Sequence, residues 1–153
     1  MIWKEEWDFW TVEPDLSGLV IDDHGKEILV KVAQNALLPI RDHIKLIERE
    51  EEVKPGVHLI SATGHTPGHM AVKISSGDGD LYFVADAFLH PIHLEHLDWH
   101  SSVAYDPEKV IASRHKLIEE AVSGDSLVMT THFPFPGLGK IVKREEKWRW
   151  QPL

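Results

Sequence analysis

At 153 residues, with 42% hydrophobic and 27% charged side chains, the chain has the composition of one globular domain, which excludes a disordered tail. Its formal net charge of −9 argues against nucleic acid and anionic membrane as partners, because like charges repel. No apolar run approaches the roughly 18 residues of a membrane span, no cysteine is available for a disulfide or thiolate zinc site, and the charged, aromatic start Met1-Ile-Trp-Lys-Glu-Glu-Trp is unlike a signal peptide, so a cytoplasmic protein is expected.

Trp3, Trp7 and Trp10 recur at helical spacing, which predicts an N-terminal helix with an aromatic packing stripe. Glu13-Pro-Asp-Leu-Ser-Gly reads as a loop. Across residues 27–40, Leu29, Ala33, Ala36, Leu37 and Ile40 again follow a helical period, and Pro39 kinks or finishes that helix. Residues 44–47 are a short strand candidate, and the run Glu48-Arg-Glu-Glu-Glu reads as a solvated turn.

The character of the chain changes at Val57. Residues 57–62, 71–74 and 81–85 are rich in β-branched and aromatic side chains and are bounded by glycine, with Gly77-Asp-Gly-Asp as a hairpin turn. Asp106 as N-cap and Pro107 at the first position predict a helix in which Val110, Ile111, Ile118, Ala121 and Val122 share one face and Gly124 is the stop. Residues 127–131 read as a buried strand, Phe133-Pro-Phe-Pro-Gly-Leu-Gly as a loop, and residues 141–150 as one final amphipathic strand. This alternation suits helices packed on a sheet.

Eleven histidines raise the prior for a metal site, and their positions decide the matter. His65, in Thr63-Gly-His-Thr-Pro-Gly-His69, follows one predicted strand; Asp86 closes a second and His132 a third. Strand ends on a rigid sheet can present side chains to a common point, and glycines let the backbone turn close by. Each residue alone reads as a cap or a structural group. Three together point to a site, since neutral imidazoles with a carboxylate suit zinc, iron or manganese. A second group, His90-Pro-Ile-His93-Leu-Glu-His96, has spacings of three that align on a helical face. It reads either as a metal cluster or, more plainly, as a loop or short helix near the mouth of a cleft.

The string Gly-His-Thr-Pro-Gly-His, a strand ending in Asp and a strand ending in His resemble the second half of the metallo-β-lactamase superfamily. Trp7-Asp-Phe-Trp-Thr, Asp86-Ala-Phe-Leu-His-Pro, Leu94-Glu-His and His132-Phe-Pro-Phe-Pro-Gly-Leu-Gly place the resemblance nearest its lactonase- and glyoxalase II-like branch, over residues 7–142. The resemblance implies an α+β fold, the C-terminal half of an αββα sandwich, with one mixed sheet and covering helices in a single domain over residues 1–153. It implies that His65 binds a first metal, that Asp86 bridges two metals as the catalytic residue, and that His132 binds the second, with His69 orienting its neighbours. Zinc, or iron or manganese, is the implied cofactor, and the reaction is hydrolysis of an ester, lactone or thioester.

That family's His-x-His-x-Asp-His signature does not occur in these 153 residues, nor does any His-x-His. The expectation is therefore an incomplete hydrolase whose partner is a second copy of itself or a separate N-terminal half, acting on a small molecule when active. A non-catalytic, self-associating half-fold with a structural or binding role is the alternative. A reduced site in which His65, Asp86 and His132 hold one metal is the third reading.

Overall fold

The structure is a computed structural model and describes residues 1–153. Its centre is a seven-stranded mixed sheet in the order β3-β4-β5-β6-β7-β8-β9, formed by β3 (Glu51–Lys54), β4 (Val57–Ser61), β5 (Met70–Ser76), β6 (Gly79–Phe83), β7 (Leu127–Met129), β8 (Leu138–Arg144) and β9 (Lys147–Pro152). A separate parallel pair, β1 (Ile2–Trp3) and β2 (Leu46–Ile47), sits beside it. Only β6 and β7 run parallel within the large sheet. Parallel neighbours need a crossover, and the helices α3 (Ile92–Glu95) and α4 (Pro107–Ser123) lie in it.

Alternation along the strands divides the sheet into two faces. On one, Ile60, Ala71, Tyr82, Val128 and Ile141 form a buried core with Leu117, Ile118 and Ala121 of α4, and Trp148 and Trp150 pack at its margin. Helix α4 forms where Asp106 accepts the Lys109 N–H as N-cap and Pro107 opens the first turn, and Gly124 follows its last residue. On the other face the register aligns Leu59, Val72, Phe83, Met129 and Leu138 in one row across five strands, with Val57, Ile74, Leu81 and Leu127 in the next. Trp3 and Ile47 cover the Leu59 end of this face. The remainder lies open, with Ile74 43% and Met129 39% exposed.

The N-terminal helix α1 (Lys4–Thr11) carries Trp7 and Trp10 but not the expected Trp3, which precedes it in the extended strand β1 and packs with Ile47 and Leu59. Its next neighbour α2 (Asp23–Leu37) begins earlier than the 27–40 reading, because Asp22 caps it by accepting the Gly25 N–H. Pro39 ends it, and Leu38–His43 continue as a 3-10 turn. Two expectations are corrected. The charge run is no free turn, since Glu51 and Glu52 belong to edge strand β3; charged side chains there discourage pairing with other chains. Residues 141–150 are not one strand but a hairpin that turns at Glu145 and Glu146, at φ 50° and 63°. No helix is long and apolar enough to cross a membrane.

Candidate metal centre

The loop between β4 and β5 carries Gly64-His-Thr-Pro-Gly-His, and its two glycines are required by close approach. A Cβ on Gly64, at φ +127°, would stand 2.2 Å from the Val110 nitrogen in the first turn of α4. One on Gly68 would stand 2.3 Å from the Glu6 nitrogen in α1. The loop is thereby clamped between two helices. Glu6 completes the clamp: Oε2 accepts the Gly68 N–H at 2.9 Å and Oε1 accepts the Trp10 indole N–H at 2.7 Å.

Asp86 stands in a 3-10 turn, Ala85–Ala87, immediately after β6. Its backbone N–H donates to His69 Nε2 at 3.1 Å, so the other ring nitrogen of His69 carries the proton and donates to Ala62 O at 2.8 Å. His69 thus joins the end of β4 to the end of β6, in the orienting role the sequence suggested. His132 follows β7. The Thr130 hydroxyl, two residues before it, donates to Phe88 O at 3.2 Å and accepts the His132 N–H at 3.4 Å, which links the His132 loop to the Asp86 segment.

The three expected residues meet at the Asp86 carboxylate. His132 Nε2 lies 2.9 Å from Oδ1 and His65 Nε2 lies 3.4 Å from Oδ2. Their side chains are 19% exposed for His65, 36% for Asp86 and 45% for His132, so the site opens to solvent on the His132 side. Burial holds the His65 pKa below its usual value against the opposing pull of Asp86, which keeps its imidazole neutral near pH 7.

The donor chemistry fits a metal in pairs. Two donors that each lie about 2.0–2.2 Å from a tetrahedral zinc are about 3.4 Å apart, close to the His65–Asp86 separation of 3.4 Å and somewhat wider than the His132–Asp86 separation of 2.9 Å. No group of three or more His, Asp or Glu side chains closes on one centre. Each imidazole faces a different carboxylate oxygen, an arrangement that suits a bridging carboxylate and gives no support to a single three-ligand metal.

His90, His93 and His96 form no metal group either. His90 Nδ1 accepts the Ile92 N–H at 3.1 Å, and His96 stacks on Trp99 with ring centroids 4.2 Å apart. His93 is buried, and its Nδ1 faces Arg114 Nη2 at 2.9 Å. Burial first, and then the Arg114 charge, push the His93 pKa down to about 4. Arg114, Glu6 and Thr130 are the contributors that sequence reasoning missed. Beside His65 a small cavity of about 80 Å³ is lined by Phe9, Trp10, Leu16, Leu29 and Tyr105.

A mixed sheet with covering helices and with His and Asp at adjacent strand ends defines an α+β fold of the metallo-β-lactamase type. The profile described as the metallo-beta-lactamase superfamily matches residues 3–132, and the chain belongs to that superfamily. Among solved structures it is similar to AidC, a dizinc quorum-quenching lactonase in complex with a product N-hexanoyl-L-homoserine, at 29% identity and TM-score 0.87, over 99% of this chain and 53% of AidC. It shares its fold with the hydrolase AbOPH, at 20% identity and TM-score 0.85, over 99% of this chain and 54% of that one. A third similar structure is an N-acyl homoserine lactone hydrolase with the same product bound at its catalytic metal center, at 28% identity and TM-score 0.51, over 58% of this chain and 35% of the other. The chain therefore spans about half the length of AidC and AbOPH. Comparison with curated proteins gives no match.

Proposed function

We propose that this chain supplies the bridging carboxylate and two imidazole ligands of a zinc-dependent hydrolase acting on an ester, lactone or thioester carbonyl. The observation that carries the reading is the pairing of the two Asp86 oxygens with different imidazoles, at 2.9 Å for His132 and 3.4 Å for His65. Held there, metal ions supply Lewis acidity toward the substrate carbonyl and toward water. The chain's own residues do the positioning. His69 sets Asp86 through its backbone N–H. Burial leaves the His65 lone pair free for ligation by keeping the ring neutral. Phe9, Trp10, Leu16, Leu29 and Tyr105 give the site an apolar edge beside His65. The lactones of AidC and its kin make a lactone the first substrate to try.

Because the chain spans half the length of its similar structures, the reading includes a complement. The open part of the sheet face around Ile74 and Met129 is where a second layer would pack, provided by a second copy of this chain or by a separate polypeptide carrying the His-x-His-x-Asp-His segment. The reading keeps the protein in the cytoplasm, with a small-molecule substrate and without nucleic acid or membrane. Calorimetric titration with zinc tests it. Saturable binding that Asp86→Asn removes is the expected result, and binding unchanged in Asp86→Asn contradicts it. A second reading, a self-associating half-fold without catalysis, is favoured by the same open sheet face and expects an oligomer that takes up no zinc.

A further inference from the structure

Arg114 is the largest side chain buried almost completely in this protein, at 1% exposure, and no carboxylate pairs with it. A guanidinium withdrawn from water needs acceptors for its fork of N–H groups. It finds them all on one stretch of chain, the segment after β6 that begins with the Asp86 turn. Nε donates to Ala87 O at 2.7 Å, Nη1 donates to Leu97 O at 3.0 Å and to Trp99 O, and Nη2 donates to His93 Nδ1 at 2.9 Å. The guanidinium carbon also lies 5.6 Å from the centre of the Phe88 ring. Four points spread between residues 87 and 99 are therefore gathered onto one residue of α4. One of them, the Ala87 carbonyl, belongs to the residue next to Asp86.

The Asp86 backbone is thus held on both sides, by His69 at its N–H and by Arg114 at the carbonyl one residue on. A lysine could not do the same work, because its ammonium is a point donor on a flexible stem and cannot span the Ala87 carbonyl, the Leu97 and Trp99 carbonyls and His93 together. We infer that Arg114 is a positioning residue, which fixes the Asp86 carboxylate against His65 and His132 by gripping the segment that follows it. The inference rests on Asp86 being the bridging ligand proposed above. It goes beyond that reading by assigning a role to a group that touches neither metal nor substrate.

The test uses Arg114→Lys in the full chain, beside Ile141→Ala as a control. Ile141 lies in the same buried core but on β8, which makes none of these hydrogen bonds. Two quantities are read: the imidazole nitrogen resonances of His65 and His132 in metal-free protein, and zinc affinity by calorimetry. Arg114→Lys is expected to shift the His132 resonances and to weaken zinc binding by roughly 10- to 100-fold, the usual effect of losing a group that orients a ligand. Ile141→Ala, with a comparable fall in Tm, is expected to leave both near wild type. Wild-type resonances and affinity in Arg114→Lys would overturn the assignment, as would an equal loss in Ile141→Ala. Should wild-type protein bind no zinc, the hydrolase reading fails, while the metal-free resonances still decide the role of Arg114.

Discussion

His69 accepts the backbone N–H of Asp86 at its Nε2, 3.1 Å away, while its Nδ1 donates to Ala62 O at 2.8 Å. One neutral imidazole therefore ties the end of β4 to the end of β6 and sets the residue on which His65 and His132 converge. His69→Leu leaves the Ala62 carbonyl and the Asp86 amide unpartnered at a cost of about 1–3 kcal/mol for each group that cannot reach water. Chemical denaturation is expected to show that loss, together with weakened zinc binding. His69→Gln, which keeps a donor and an acceptor, should recover part of both.

Gly68 gives α1 its seat. An added Cβ would meet the Glu6 nitrogen at 2.3 Å, so Gly68→Ala must push helix and loop apart and break the Gly68–Glu6 hydrogen bond. Overpacking of this kind costs about 1–3 kcal/mol. Because Trp3, Trp7 and Trp10 lie on or next to α1, their fluorescence should shift toward that of exposed indole in the variant. An unchanged spectrum with unchanged stability would mean that the helix tolerates the displacement.

His93 makes stability depend on pH. Its folded pKa is depressed to about 4, so the unfolded chain takes up a proton near pH 6.5 that the folded chain refuses. Stability is fully present above about pH 6.5, falls as the pH is lowered toward about 4, and levels off once the folded histidine also protonates. His65, lowered in the same direction, adds to the slope. His93→Gln keeps an acceptor for Arg114 and removes the titration. Urea unfolding of the variant across this range should show a slope smaller by up to about one proton.

The open sheet face leads to an association test. Ile74 and Met129 stand exposed in neighbouring apolar rows of one sheet face, so the protein is expected to sediment as a dimer or larger species at micromolar concentration. Ile74→Asp with Met129→Asp should shift it toward monomer without unfolding it, since both side chains are already half in water. A wild-type monomer would remove the second copy as the complement.

The sequence made the strand ends legible because their signals are local. An apolar run, a following His or Asp and nearby glycines mark His65, Asp86 and His132, and Asp106-Pro107 with Gly124 marks α4 from end to end. What escaped was either long-range or against type. Glu6 caps a loop 62 residues away, which no pattern in α1 reveals. Arg114 sits on a helix where an arginine ordinarily meets solvent, and only the folded chain shows its four acceptors. The β8–β9 turn uses Glu145 and Glu146 at positive φ, where glycine or asparagine would have announced a hairpin. The histidines at 90, 93 and 96 had metal-like spacing, but in the fold each is occupied by a backbone group, a guanidinium or an indole.

The most direct test of the bridging role of Asp86 is a zinc titration followed through the imidazole nitrogens of all eleven histidines. The account expects the Nε2 resonances of His65 and His132 to move together, the other nine to stay, and both responses to vanish in Asp86→Asn. Zinc that moves only surface histidines such as His24 or His43, or that leaves His65 and His132 unmoved, would contradict it.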